Sequence, residues 1–211
     1  MYRSTKHSGE HIKLNKRSPH LKGEILLKQV VLIIDAQQEL IEGNQEQSGV
    51  FKKEQLITTI NAVIEKAKNV HVPMIFVRDL EVADGSGKRF EIHEKINVPE
   101  EAMIFDKTAT NSFHGTGLLH HLKTQEIEHV VVMGCATQHC IDSAVRTATI
   151  NGMDVTLVGD GHSTTDGGVL HAEQIIQHHN ETLHGHYNVE NFSIVRKAEE
   201  EIFEPTHHSY R

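Results

Sequence analysis

Short apolar runs separated by longer amphipathic stretches constrain this chain more than any other feature. The runs are VVLII (30–34), MIFVR (74–78), AMIF (102–105), HVVVM (129–133), DVTLV (154–158) and FSIV (192–195). Each has the length and β-branched content of a strand, and the intervals between them are long enough for crossover helices. In KKEQLITTINAVIEKAKNV, Leu56, Ile60, Val63, Ile64 and Ala67 recur at helical spacing and form one apolar stripe. GLLHHLKT, CIDSAVRTATING and VLHAEQIIQHHNETL read the same way, and Gly152 stands where a helix stop belongs. Alternation of this kind predicts an α/β fold: a three-layer α/β/α domain with a six-stranded, mostly parallel, doubly wound sheet of the Rossmann-like kind. The longest irregular stretch, residues 79–101, is the expected rim of a site.

Charge divides the chain unevenly. Residues 1–28 carry a net +5 and the remainder −13, so residues 1–27 are read as a basic N-terminal extension and 28–211 as one domain. A body so acidic, with no Trp and no basic stripe, is not a nucleic-acid binder. No run approaches eighteen apolar residues and the N-terminus lacks a secretory apolar segment, so a cytoplasmic protein without membrane association is expected. Two cysteines five residues apart, at 135 and 140, do not make a disulfide framework. The 18 histidines fall in tracts such as QHHNETLHGHY without ligand spacing for a metal, and are read as solvated helix faces. No G-x-G-x-x-G follows the first strand, DGSGKRF lacks the phosphate-loop spacing, and GHSTT is not a serine nucleophile elbow. Neither a cofactor nor a metal is therefore expected.

In an open parallel sheet, ligands bind beyond the carboxyl ends of the strands where strand order reverses. The residues at those ends are Asp35, Asp79, Asp106 with Lys107, the stretch 134–140, and 160–163. Asp35 closes VLIIDAQ and is a candidate proton carrier, since burial raises and a nearby cation lowers a carboxyl pKa. Lys107 is the candidate cation. Cys140 lies where a helix should begin, and the positive end of a helix favours thiolate over thiol. Cys135, at the strand end itself, should pack inward. GCAT joins strand to helix through small residues, which lets main-chain amides point at a substrate oxygen. An acid, a cation and a thiol emerging at the ends of three strands form a convergent set.

These residues resemble the isochorismatase-like cysteine hydrolase superfamily, which includes nicotinamidases and N-carbamoylsarcosine amidohydrolases. VLIIDAQ resembles its opening strand with the catalytic Asp, here Asp35. KTATNSFHGTGL resembles its K-x-x-x-S-x-F-x-x-T-x-L stretch, with Lys107, Phe113, Thr116 and Leu118 in register and Asn111 in place of Ser. GCATQHCIDSAVRTA resembles G-x-x-T-x-x-C-V-x-x-T-A, with Cys140 as nucleophile, Ile141 for Val and Ala144 for Thr; GDGHST resembles the D-A-x-S-T segment. The resemblance implies the isochorismatase-like hydrolase fold and an Asp35–Lys107–Cys140 triad. It further implies a cis peptide between Cys135 and Ala136, an oxyanion hole from the amides of Ala136 and Cys140, and a homo-oligomer, dimer or tetramer. Gln37, Phe113 and Thr137 are the candidates for contacting a small-molecule substrate. The nicotinamidase metal motif D-x-H is replaced by Asp79-Leu80-Glu81, so no metal is expected. The implied activity is C–N hydrolysis of a small amide or ureido compound through a thioester. A vinyl-ether hydrolase acting through Asp35, and a non-catalytic redox or binding module, are the alternatives.

Overall fold

A computed structural model describes residues 27–204 and 206–210. All but the last residue of the basic extension therefore lies outside the described residues. The chain runs β1 (Gln29–Ile34), α1 (Gln38–Glu42), α2 (Lys53–Asn69), β2 (Met74–Asp79), a 3-10 turn (Val82–Gly85), α3 (Gly87–Phe90) and β3 (Met103–Lys107). It continues with α4 (Leu118–Thr124), β4 (His129–Cys135), a π-helical turn (Thr137–Ile141), α5 (Asp142–Ile150), β5 (Asp154–Ser163), α6 (Ala172–Leu183), β6 (Tyr187–Asn188) and β7 (Asn191–Arg196). The six expected strands are present. A seventh, the two-residue β6, pairs antiparallel with β7 at one edge, so the sheet order is β3-β2-β1-β4-β5-β7-β6. Two residues carry too little pattern to be read from a sequence, which is why the expected count was one short.

Period-two alternation within β1 and β4 sorts the core into two faces. Val31 and Ile33 of β1 with Val131 and Met133 of β4 meet Leu56, Ile60, Val63, Ile64 and Ala67 of α2. Val30, Leu32, Val130 and Val132 meet Leu118 and Leu122 of α4 and Ala144, Val145 and Ala148 of α5. Both faces of the sheet are thus covered, and each fully buried Leu, Ile or Val contributes about 1.5–3 kcal/mol. The three-layer α/β/α arrangement follows. Gly152, at φ 82°, ends α5 in the left-handed region as expected.

The chain leaves β1 toward β2 and β3 on one side, while β4 begins the series β4, β5, β7 on the other. β1 and β4 are neighbours with Ile34 opposite Gly134, so strand order reverses between them. Gly134 has φ 125°, and a Cβ built on it would lie 2.0 Å from the Ile34 carbonyl oxygen. The backbones therefore approach more closely here than a side chain allows. Directly beyond this pair lie Asp35, Cys135 and Ala136.

Candidate active site

Three strand ends supply the charged groups. Asp35 follows β1 and turns out of the strand in a left-handed conformation, φ 51°, which Asp tolerates better than most residues. Its amide donates to Val77 O (2.8 Å), tying the turn to β2. Lys107, last residue of β3, is paired with Asp79 across the β2–β3 register. Its side chain crosses the end of β2, binds Asp79 on the way, and places Nζ 2.9 Å from Asp35 Oδ2. From there Nζ is 3.5 Å from Cys140 Sγ. Two strand spacings span about 10 Å, which the lysine side chain covers together with the 2.9 Å contact and the Asp35 side chain that reaches back to it.

Asp35 Oδ2 is occupied by the ammonium, whereas Oδ1 is buried without a hydrogen-bond partner. One carboxylate oxygen each from Asp35 and Asp79 and the Cys140 sulfur lie within 4.8 Å of one another. Three such ligands would suit a cation, and the ammonium of Lys107 already binds both carboxylates and contacts the sulfur.

Cys140 is the fourth residue of the π-helical turn Thr137–Ile141, in which the Ile141 amide donates to Ala136 O (3.2 Å). The sequence led us to expect a thiol ionised by a helix start. The structure corrects that expectation: burial, then the Asp35 carboxylate, push the Cys140 thiol up to about 12, against the pull of Lys107. The wider turn keeps Cys140, 8% exposed as a residue, inside the cluster, where desolvation outweighs the helix-end field. Burial likewise pushes Asp35 up to about 6, with Lys107 opposing. For Lys107, burial works to remove the proton, but Asp35, the sulfur and Asp79 together hold its pKa above the ordinary value. Burial and the Asp35 carboxylate thus favour the un-ionised thiol, while Asp35, the sulfur and Asp79 favour the ammonium. Cys135 is fully buried and its thiol is strongly raised, first by burial.

The Cys135–Ala136 peptide is cis. Cys135, Ala136, Cys140 and Asp35 line a cavity of ≈ 590 Å³. Its outer wall comes from the 39–50 segment, which includes Glu39, Asn44, Gln47 and Ser48, and from Glu81 to Ala83, Gln138, His139, Thr164 and Thr165. Of the expected 79–101 rim, only residues 79 and 81–83 reach it. The 39–50 segment was not foreseen, because its short helix and turns carry no periodic signal.

The three residues expected to contact substrate are placed elsewhere. Gln37 is fully buried and acts as a clamp: its amide nitrogen donates to Asp79 O (3.1 Å) and Phe90 O (2.8 Å), and its Oε1 accepts from the Asp79 amide (2.8 Å). Phe113 packs in the core beside Leu118 and Ile141. Thr137 is fully buried, with its hydroxyl on His162 Nδ1 (2.9 Å), while His162 Nε2 meets Asn180 Oδ1 (2.8 Å). Asn180 Nδ2 donates to Gly159 O (2.9 Å), which fixes its oxygen toward the imidazole. His162 therefore donates through Nε2 and accepts the Thr137 hydroxyl at Nδ1. Sequence reasoning missed this relay, as it missed Asp79 as the second carboxylate on Lys107. Asp79 was visible as a strand-end residue; nothing in the sequence pointed to the relay.

Fold and cluster together define a class: an open parallel α/β sheet with a thiol, a carboxylate and an ammonium gathered at its switch point. Residues 29–180 match the isochorismatase domain, and the chain belongs to the isochorismatase family of hydrolases. The isochorismatase family protein YrdC of Bacillus subtilis (strain 168) is 27% identical over 138 residues, 63% of this chain and 72% of that protein. A crystal structure of an isochorismatase family protein superposes with a TM-score of 0.72 at 26% identity, covering 82% of this chain and 99% of the other. A cysteine hydrolase from Pseudomonas syringae pv. phaseolicola 1448A (TM-score 0.69, 19% identity, 81% and 89% covered) and N-carbamoylsarcosine amidase from Thermoplasma acidophilum (0.65, 17%, 83% and 99%) share the fold. Among the described residues no helix is long and apolar enough to cross a membrane.

Proposed function

We propose that the protein is a cysteine-dependent hydrolase of a small amide or ureido compound, with Cys140 as nucleophile, Asp35 as proton carrier and Lys107 as the cation between them. The observation that supports this reading best is the juxtaposition of Lys107 Nζ with Asp35 (2.9 Å) and with the Cys140 sulfur (3.5 Å) on the wall of a cavity.

Because the thiol is un-ionised at rest, attack and proton transfer are coupled. The S–H proton passes to Asp35 as the sulfur bonds to the carboxamide carbon, and the carbonyl electron pair moves onto oxygen. The amides of Ala136 and Cys140 hold that oxyanion; such donors are worth about 3 kcal/mol each in a transition state. As the carbonyl reforms, the C–N bond breaks and Asp35 returns the proton to the departing nitrogen. Water, deprotonated by Asp35, then attacks the thioester, releasing the acid and restoring the thiol. Lys107 keeps its proton throughout, holding Asp35 in place and offsetting negative charge as it passes between oxygen and sulfur.

Ammonia release across a panel of small carboxamides and ureido compounds tests the reading. Turnover by the wild type that Asp35→Asn and Cys140→Ala lack supports it. Turnover unchanged in Cys140→Ala overturns it.

A further inference from the structure

The charge of the cavity wall narrows what can bind there. Asp35, Glu39, Asp79 and Glu81 all line it, and no lysine or arginine does so among the described residues. Lys107, beneath the wall, is already engaged by Asp35 and Asp79. Glu39 is paired with Arg89, an exposed side chain outside the lining. Glu81 is exposed and has no ion-pair partner among the described residues; its backbone amide is turned to Asp79 Oδ1 (2.9 Å). A substrate carboxylate entering here would lose part of its hydration and meet acidic groups, with His139 the only basic side chain in the lining among the described residues.

A second observation concerns hydrogen bonding rather than charge. Gln138 lies two residues before the sulfur, and its Oε1 is buried with no partner. A buried acceptor left unpaired costs free energy; Oε1 has no accessible surface, so a rotation of the Gln138 side chain has to bring it to the cavity before a ligand N–H can recover that cost. Ser48, Asn44 and Gln47 add polar, uncharged side chains to the lining.

We propose that this cavity selects uncharged or cationic amides over carboxylate-bearing ones, and that Gln138 Oε1 accepts a hydrogen bond from the substrate's N–H. The assignment deepens the amidohydrolase reading above, and rests on it for the words "substrate" and "amide". Charge selection by the cavity itself can be measured without turnover.

The measurement uses two alkylating reagents of equal size, neutral iodoacetamide and anionic iodoacetate, on the full-length protein. In either case an S–C bond forms at Cys140, iodide leaves and the thiol proton is lost to Asp35 or solvent. Intact-mass kinetics, with Cys140→Ser as the site control, give the ratio of the two rates, and glutathione gives the ratio for an unscreened thiol. The ratio at Cys140 should exceed that of glutathione by about tenfold or more, as expected for like-charge exclusion by an acidic cavity wall. Glu81→Gln should lower it, and Gln138→Leu should slow iodoacetamide while leaving iodoacetate unchanged. A ratio equal to that of glutathione, or a Cys140 that reacts with neither reagent, overturns the proposal.

A matched pair of amides with and without a carboxylate separates the two readings. Faster turnover of the carboxylate-bearing amide would end the selectivity proposal and leave the amidohydrolase reading intact. No turnover of any amide, with the alkylation ratio still high, would end the amidohydrolase reading and leave the charge selection standing.

Discussion

Lys107 Nζ and Asp35 Oδ2 are 2.9 Å apart, and neither side chain is more than 2% exposed. An ion pair this deep is held by completeness: the ammonium has Asp35, Asp79 and the Cys140 sulfur around it. Removing one partner strands the others in a medium that solvates them poorly.

Lys107→Ala should therefore cost about 3–5 kcal/mol of stability at pH 7. The deficit should shrink on acidification. Asp35 already titrates near 6 with its cation present, and without it burial drives the carboxyl higher still, above its unfolded value. A raised folded-state carboxyl pKa means the folded form is favoured as pH falls and disfavoured as pH rises through that pKa. Urea unfolding at pH 5 and pH 7 measures this; an equal deficit at both would contradict it.

Amide turnover should rise with pH through about 6, as Asp35 loses the proton that blocks it from accepting the one on sulfur. Asp35→Asn should lower kcat/KM by about 10²–10⁴-fold and remove that limb. A profile that instead follows an ordinary thiol near 8.5 would assign the limb to Cys140.

Gly134→Ala should be among the most damaging single substitutions in the chain. The new Cβ would fall 2.0 Å from the Ile34 carbonyl at φ 125°, inside the β1–β4 pairing that carries Asp35 and Cys140. A loss of more than about 3 kcal/mol is expected from backbone conflict of this kind, read as a shift in urea midpoint. Gly168→Ala, where a Cβ meets nothing within 4 Å, serves as the tolerated control.

Gln37→Leu should act on kcat more than on KM. Its amide clamps Asp79 and Phe90 from a position with no exposure, so its loss loosens the carboxylate that holds Lys107. A KM effect alone would instead indicate the substrate contact that its place in the sequence suggested.

Stability should fall as pH drops below about 6.5. His162 is lowered to about 4 and His129 to about 3, in both cases chiefly by burial. For a depressed imidazole the unfolded chain takes the proton first, so stability is complete above 6.5 and declines toward the folded-state pKa. Each ring adds a slope of about 1.4 kcal/mol per pH unit in that window; Asp35, raised to about 6, works the other way, and the two rings leave a net loss. His162→Gln should flatten it, as thermal unfolding from pH 7 to 5 would report.

The α2 stripe and the six parallel strands β1 to β5 and β7 were legible in the sequence because period-two and period-3.6 burial imprint on residue type. Asp35, Lys107 and Cys140 were legible because each ends a strand or follows one closely, and the open-sheet rule sends such residues to one rim. The cavity wall at 39–50 was not, since irregular backbone leaves no period. Nor were the roles of Gln37 and Thr137: polar residues beside a nucleophile read as ligand contacts until their hydrogen bonds are known.

By itself, then, the sequence determined the layers and named three residues that converge at one rim of the sheet, since these follow from local pattern and from where strands end. Only the tertiary structure decided the charge each group carries and which way each polar side chain is turned. Protonation depends on desolvation and on atoms within a few ångströms contributed by distant strands, and those distances exist only once the sheet has closed around them.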